Sequence, residues 1–356
     1  MEYSVSNKKR CLMIGAGGMA GAWIRRFYPR FNDRHEIVAL VDINAETLHD
    51  AGDFLGLPRS HRFTDMETAF GKVDADYCTI VIPPAVHRDA VMLAVGSKLD
   101  ILSEKPIADE WPACVDIYRA VTKAGLKMHV IQNYRYSSRM LTVRQVLRNG
   151  ELGRINYIQG RFAADYREYG AWGAFRYEIP HTLLVEGAVH HFDMMRNLSG
   201  GDCRTIAGWE WNRPWSSFQG DCCAMYVMDM TNGVKAAYEG SCLGAAEQNS
   251  WHGEYYRAEC EAGAVAIGSD GITRMYRHTP GKGMRIDDVS PVVPEYDGHQ
   301  WQINEFLDWL DGGPAPDTCL EHNIRSVAMV FAAIEASKTG KSVDVEKVVE
   351  PVVNAA

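Results

Sequence analysis

The stretch Cys11-Leu12-Met13-Ile14-Gly15-Ala16-Gly17-Gly18-Met19-Ala20 constrains this chain more than any other. A short apolar run reads as a buried strand, breaks into glycines and resumes as a helical pattern. A strand entering a Gly-x-Gly-x-x-Gly/Ala turn lets the backbone approach a pyrophosphate closely, and the next helix offers its N-terminal amides to the negative charge. Glycine clusters also mark ordinary turns, so the flanking chain has to decide. Lys8-Lys9-Arg10 before an uncharged run has the outline of a secretory leader. Glycines interrupt that run, no clear small-x-small cleavage site follows, and it continues into Arg25-Arg26.

The flanking chain favours the dinucleotide reading. Residues 19–28 read as a helix closed by Pro29, and the apolar run 36–41 ends in Asp42, 22 residues beyond Ala20. At that spacing a carboxylate closing the second strand reaches the ribose hydroxyls of an adenosine. Ile43 and Asn44 bring no cation for a 2′-phosphate, which favours NAD over NADP. Gly15, Gly17, Gly18, Met19, Asp42 and Ile43 are thus candidate cofactor residues. Strand-like runs 76–82, 100–103 and 127–131 alternate with helical patterns 45–54, 85–95 and 111–124. Such alternation implies right-handed crossovers and a parallel sheet, with ligands beyond the carboxyl ends of the strands. Two strand ends stand out, Pro83-Pro84-x-x-His87 and Glu104-Lys105-Pro106. A lysine at the mouth of the sheet, beside a nicotinamide that turns positive on oxidation, can hydrogen-bond a substrate hydroxyl and favour its alkoxide character.

At 356 residues the chain is long enough for two domains with separate cores. Its net charge of -9 argues against a nucleic-acid groove, because phosphate neutralisation supplies most of that affinity. Nine dispersed cysteines without a C-x-x-C pair fit reduced thiols, and no uncharged apolar stretch reaches about 18 residues. A cytoplasmic protein with no membrane segment is expected.

After a helical pattern over 137–149, the chain changes period. Runs at 153–161, 221–230, 234–241, 255–260 and 264–267 suggest a mostly antiparallel sheet and place the domain boundary near 130–136. Trp209, Trp211, Trp215, Tyr226 and Tyr238 remain open between core, interface and ligand platform. Residues 183–198 read as one helix on which Glu186, His190, Asp193 and Asn197 fall at i, i+4, i+7 and i+11, a shared polar stripe. Leu184, Ala188, Met195 and Leu198 form a separate apolar stripe. His191 is rotated about 100° from the polar stripe. A metal reading of His181, Glu186, His190 and His191 lacks an H-x-E-x-H or H-E-x-x-H arrangement, so no metal is expected. Two amphipathic helices, 300–311 and 321–337, close the chain, with Phe306, Trp309 and Leu310, then Val327, Val330, Phe331 and Ile334, as core stripes.

In order and approximate spacing, the Gly-x-Gly-x-x-Ala turn, Pro83-Pro84-Ala85-Val86-His87, Glu104-Lys105-Pro106 and Asn133-Tyr134-Arg135 resemble the Gfo/Idh/MocA oxidoreductases, the family of glucose-fructose oxidoreductase and inositol dehydrogenase. The segment from Glu186 to Asp193 is similar to that family's Asp-x-Gly-x-His-x-x-Asp signature, and Ala336 to Lys341 to its usual close. Three departures are visible: Ile82 where the family usually has Thr, Glu186 at the Asp position and Ala188 at the Gly.

The resemblance implies an α/β plus α+β architecture. An NAD-binding Rossmann domain, residues 1–132, would be followed by a substrate-binding and oligomerisation domain, residues 133–356, with a large, mostly antiparallel open sheet. It implies cofactor contacts from Pro83, His87, Glu104, Lys105 and Asn133 besides the glycine turn, and assembly into a homodimer or homotetramer through that sheet. It implies oxidation of a secondary hydroxyl of a sugar, glycoside or cyclitol. His190 would be the general base, Lys105 the ligand of the reacting oxygen, and Glu186 the group that orients His190 or holds a neighbouring hydroxyl. Glycoside cleavage through transient oxidation, and a non-catalytic sugar or nucleotide sensor, are the competing readings.

Overall fold

Residues 8–249 and 251–354 are described by a computed structural model of the chain. The chain divides into two compact units. The first runs to Gln132 and also takes in His299–Ile324 and the residues from Val352; the second comprises Asn133–Gly298 and Arg325–Pro351.

The first unit is built on a six-stranded sheet of β1 (Lys9–Ile14), β2 (His35–Val41), β3 (Arg62–Phe63), β4 (Tyr77–Ile80), β5 (Asp100–Ser103) and β6 (Met128–Val130), in the order β3-β2-β1-β4-β5-β6. Every pairing is parallel. The chain reverses direction across the sheet between β1 and β4, and this opens a crevice at their carboxyl ends, where open α/β sheets take ligands. The strands are near-continuous apolar runs because both faces are covered: Leu12, Met13, Ile80, Ile101 and Leu102 are fully buried. Helices Ala45–Phe54 and Trp111–Ala124 form as their sequence period predicts. The first is capped by Asn44, whose side chain accepts the Thr47 amide, and the second ends on Gly125 in the left-handed region. The helix expected over 19–28 is instead α over Gly18–Ala22, π over Trp23–Phe27 and 3₁₀ over Tyr28–Phe31, so Pro29 sits inside the last turn rather than closing an α-helix.

The return of residues 299–324 to the first unit departs from a second domain running unbroken over 133–356. The helix Gly298–Leu310 buries Gln302, Ile303, Phe306 and Leu307, while Trp309 and Leu310, expected in its core stripe, are only half-buried. Phe306 meets Tyr77 edge-on at 5.4 Å, and the Gln302 side-chain oxygen accepts the Gln132 amide at 2.9 Å. Arg34 pairs with Asp308 and Asp311, both at 2.9 Å. These contacts join residues far apart in sequence, and no local pattern announces them.

The second unit carries a nine-stranded sheet. Its strands are β7 (Ile155–Ala163), β8 (Cys203–Trp211), β9 (Cys223–Met230), β10 (Lys235–Ser241), β11 (Tyr255–Cys260), β12 (Gly263–Ile267), β13 (Thr273–Thr279), β14 (Gly283–Asp288) and β15 (Val343–Asp344). Their order is β14-β13-β12-β11-β7-β10-β9-β8-β15, antiparallel throughout except for β7 against β10. The sheet sorts the aromatic residues: Tyr226 and Tyr238 are core, whereas Trp209 and Trp215 are 64% and 59% exposed. Among the described residues no helix is long and apolar enough to cross a membrane.

Candidate active site

Gly15 ends β1 with φ +103°, and a Cβ there would lie 2.2 Å from the Val81 carbonyl oxygen, so only glycine lets β1 and the chain after β4 approach so closely. Gly17 is the N-cap of the first helix, and Gly18, at φ +50°, faces open space. The Asp42 carboxylate accepts the Ala16 amide at 2.8 Å and the Gly17 amide at 3.3 Å through one oxygen, and the Asn44 amide at 2.8 Å through the other. This fits NAD: the turn has no side chain to obstruct a pyrophosphate, and an acid stands where ribose hydroxyls would be. Met19 and Ile43 are 51% and 91% exposed, apolar surface beside that turn.

Past β4 and β5, the His87 and Glu104 side chains make their contacts within the first unit. His87 is fully buried, with Nδ1 2.9 Å from the Pro106 carbonyl and Nε2 2.9 Å from the Ile82 carbonyl. A neutral imidazole donates to one of these carbonyls and packs its other nitrogen against the second, so the ring ties the Pro83 turn to the backbone at Pro106. Burial lowers its pKa, so it stays neutral. Pro83 itself is exposed. The Glu104 side chain likewise turns inward. It accepts the Trp23 indole N–H at 2.9 Å, lies 3.0 Å from His299 Nε2, and takes the Lys105 amide at 3.3 Å. Burial alone would raise its pKa, but the bond and charge of His299, the charge of Lys105 and the Trp23 bond overcome that and hold it at about 2. An ionised, anchored Glu104 fixes the backbone from which the half-buried Lys105 extends, and the Lys105-Pro106 peptide is cis.

In the second unit, residues 183–199 are buried all round, not amphipathic, which makes this the central helix of the unit. Leu183–Ala188 is a π-turn that passes into an α-helix over Val189–Ser199. The π-turn shifts Glu186 out of the regular α stripe with His190, and such turns gather at functional sites. Gly187 admits Trp251, since a Cβ there would lie 2.6 Å from the indole. Trp251 stacks on Phe162 at 4.2 Å and on Trp172 at 5.2 Å, forming an aromatic wall.

Glu186, only 3% exposed at its side chain, accepts Arg176 Nε at 2.9 Å and lies 2.9 Å from Arg176 Nη2. The guanidinium rests over Trp172 and Phe175 at 4.8 and 4.4 Å. His190 is stacked parallel on Tyr134, 4.3 Å between ring centres. Burial, with Glu254 adding to it, pushes the Tyr134 phenol up and keeps it protonated.

Asp193 is committed elsewhere: both its oxygens take Arg135 at 2.6 Å, and one also takes the Ser326 hydroxyl at 2.6 Å. Asn133, expected at the cofactor, is the first residue of the second unit and is buried at the start of the 3₁₀ turn Asn133–Tyr136. Arg176 and the aromatic wall went unread in the sequence. The run Trp172-Gly-Ala-Phe175-Arg176 has no period, and only the fold brings it to Glu186.

Comparison with known proteins agrees with this arrangement. Residues 9–132 match the family described as an oxidoreductase family with an NAD-binding Rossmann fold, and residues 140–266 match the Gfo/Idh/MocA C-terminal domain. The chain is similar to an uncharacterized protein of Sinorhizobium fredii, 40% identical over 95% of this chain and 96% of the relative. It is 25% identical to an inositol 2-dehydrogenase of Pseudarthrobacter chlorophenolicus, over 96% and 97% of the two chains. An oxidoreductase from Agrobacterium radiobacter, solved with NAD+, L-tartaric acid and magnesium, shares the fold with TM-score 0.82 at 20% identity, over 96% and 100% of the two chains. With both halves matched in order and a glycine turn suited to NAD, this chain belongs to the Gfo/Idh/MocA family of NAD-dependent oxidoreductases.

Proposed function

We propose that the protein oxidises a secondary hydroxyl of a sugar, glycoside or cyclitol. The observation that carries this reading is that one buried helix bears both Glu186, held by Arg176, and His190, stacked on Tyr134. When bound, NAD supplies the hydride acceptor. Lys105 donates a hydrogen bond to the reacting oxygen and stabilises its alkoxide character, and His190 Nε2 or Nδ1 takes the hydroxyl proton. Glu186 holds a neighbouring hydroxyl, and the Trp172/Trp251 wall offers a flat apolar surface to the face of a sugar ring. Similarity to an inositol 2-dehydrogenase supports a polyol substrate.

Trp209, Met225 and Val227, 64%, 50% and 61% exposed on β8 and β9, support assembly into a homodimer or homotetramer through that sheet face. Nine unpaired cysteines, eight of them buried, support a reducing cytoplasm.

The test is a panel of cyclitols, pyranoses and pyranosides with added NAD. Accumulation of NADH with at least one of them is expected, and His190→Ala should cost about a hundredfold in turnover while NAD still binds. Near-normal turnover in that variant removes His190 as the base. Substrate breakdown without NADH accumulation transfers the protein to the glycoside-cleaving reading.

A further inference from the structure

His181, Glu210 and Asp221 bring one imidazole nitrogen and two carboxylates within 4.8 Å of one another. They come from three segments: the loop leading into the Leu183–Ala188 turn, strand β8, and the residue two before β9. We propose that these three side chains bind a single divalent first-row metal ion, Zn2+ by preference, which fastens the start of that turn to β8 and β9.

The polar accounting points to a ligand. The Glu210 side chain is 3% exposed, and its Oε2 is buried with no hydrogen-bond partner among the described residues. A buried carboxylate oxygen without a donor bears the full cost of desolvation and calls for a water or an ion. His181 Nδ1 lies 2.8 Å from Glu210 Oε1, yet it makes no aligned hydrogen bond. The contact occupies one Glu210 oxygen and leaves Oε2 open.

The donor set of one nitrogen and two carboxylate oxygens suits Zn2+, with Mn2+ next, and three protein ligands leave a position for water. Metal–ligand bonds of about 2.0–2.2 Å need ligand atoms roughly 3–3.5 Å apart, so the cluster has to contract by about 1 Å. The half-buried His181 and Asp221 have room to turn. Their backbones are already tied, because the Asp221 amide donates to the Pro180 carbonyl at 2.7 Å and the Val185 amide to the His181 carbonyl at 2.9 Å. The ion's role is positional: it holds the first turn of the segment that carries Glu186, five residues on.

The experiment uses the full chain, stripped with a chelator and titrated with ZnCl2 and then MnCl2 by calorimetry and thermal melting. One equivalent of Zn2+ should bind and raise the melting temperature. Glu210→Gln and Asp221→Asn should each weaken binding at least tenfold, and stripped Glu210→Gln should melt no lower than stripped wild type. Three results would overturn the proposal. One is no stoichiometric uptake of either ion, which leaves a plain His181–Glu210 ion pair. Another is uptake unchanged in Asp221→Asn, a half-buried site whose variant should fold even if Glu210→Gln does not. The third is uptake lost in Cys260→Ser, the partly exposed cysteine among the described residues.

Discussion

Arg176 grips Glu186 through two guanidinium nitrogens, each 2.9 Å from the same carboxylate oxygen, so the acid that shares a buried helix with His190 is held in one place. Removing the cation leaves a buried carboxylate unpaired. Arg176 is itself 26% exposed, so the expected loss of stability in Arg176→Met is roughly 2 kcal/mol, less than for a fully enclosed pair. Turnover should fall at least tenfold, with partial recovery in Arg176→Lys, which restores the charge but not the two-pronged grip. Urea melts and steady-state kinetics on the two variants check this; equal turnover in Arg176→Met and wild type would separate Arg176 from the chemistry.

Asp42 ties down the glycine turn. Its carboxylate satisfies the Ala16 and Gly17 amides, so Asp42→Ala should loosen that turn and also remove the ribose contact proposed for it. A hydrogen bond to a charged group contributes about 1.5–3 kcal/mol, which predicts a rise of about tenfold to a hundredfold in the Kd for NAD. The Kd for NADP should change much less, because Asp42 repels its 2′-phosphate. Fluorescence titration with both nucleotides measures the ratio.

These two sites also show where the sequence was readable. The glycine turn, Asp42 and the Glu104-Lys105-Pro106 strand end are local features whose spacing is set by backbone geometry, so they could be placed from the chain alone. His87 and Glu104 are legible as positions, but the direction of their side chains is not. Which way a side chain turns depends on the carbonyls of Ile82 and Pro106, and on Trp23 and His299, brought in from elsewhere. The Glu186 helix is legible by its period, but the π-turn and the complete burial leave no mark on that period. Arg176 and the return of residues 299–324 to the first unit are tertiary facts without a local signature.

His35 sets an acid limb on stability. Burial lowers its pKa from 6.5 to about 4, against a hydrogen bond to the Tyr28 carbonyl that raises it. The unfolded chain takes up a proton near pH 6.5 and the folded one only near 4, so stability is lost as pH falls through that window and the loss levels off below it. The full effect is about 3 kcal/mol. Glu104 acts in a different window: depressed to about 2, it contributes stability above its ordinary value of 4.5 that disappears as pH falls toward 2. Denaturant melts between pH 7 and pH 4.5 should therefore show a flatter slope in His35→Gln, while Glu104→Gln changes the slope only at lower pH.

The outer face of β8 and β9 carries the last prediction. Trp209 lies opposite Met225, and Val227 lies opposite Ala207, so the exposed apolar side chains form one contiguous patch instead of scattered single residues. Monomers rarely leave such a patch in water, and a flat sheet face offers the self-complementary surface that a two-fold axis requires. Val227→Glu places a charge at the centre of the patch and leaves the core face of β9, formed by Tyr226 and Met228, untouched. Sedimentation of the wild type should give a dimer or tetramer, and the variant should shift to a smaller species with unchanged far-ultraviolet circular dichroism. A wild type that sediments as a monomer at micromolar concentration would show that this face serves something other than self-association.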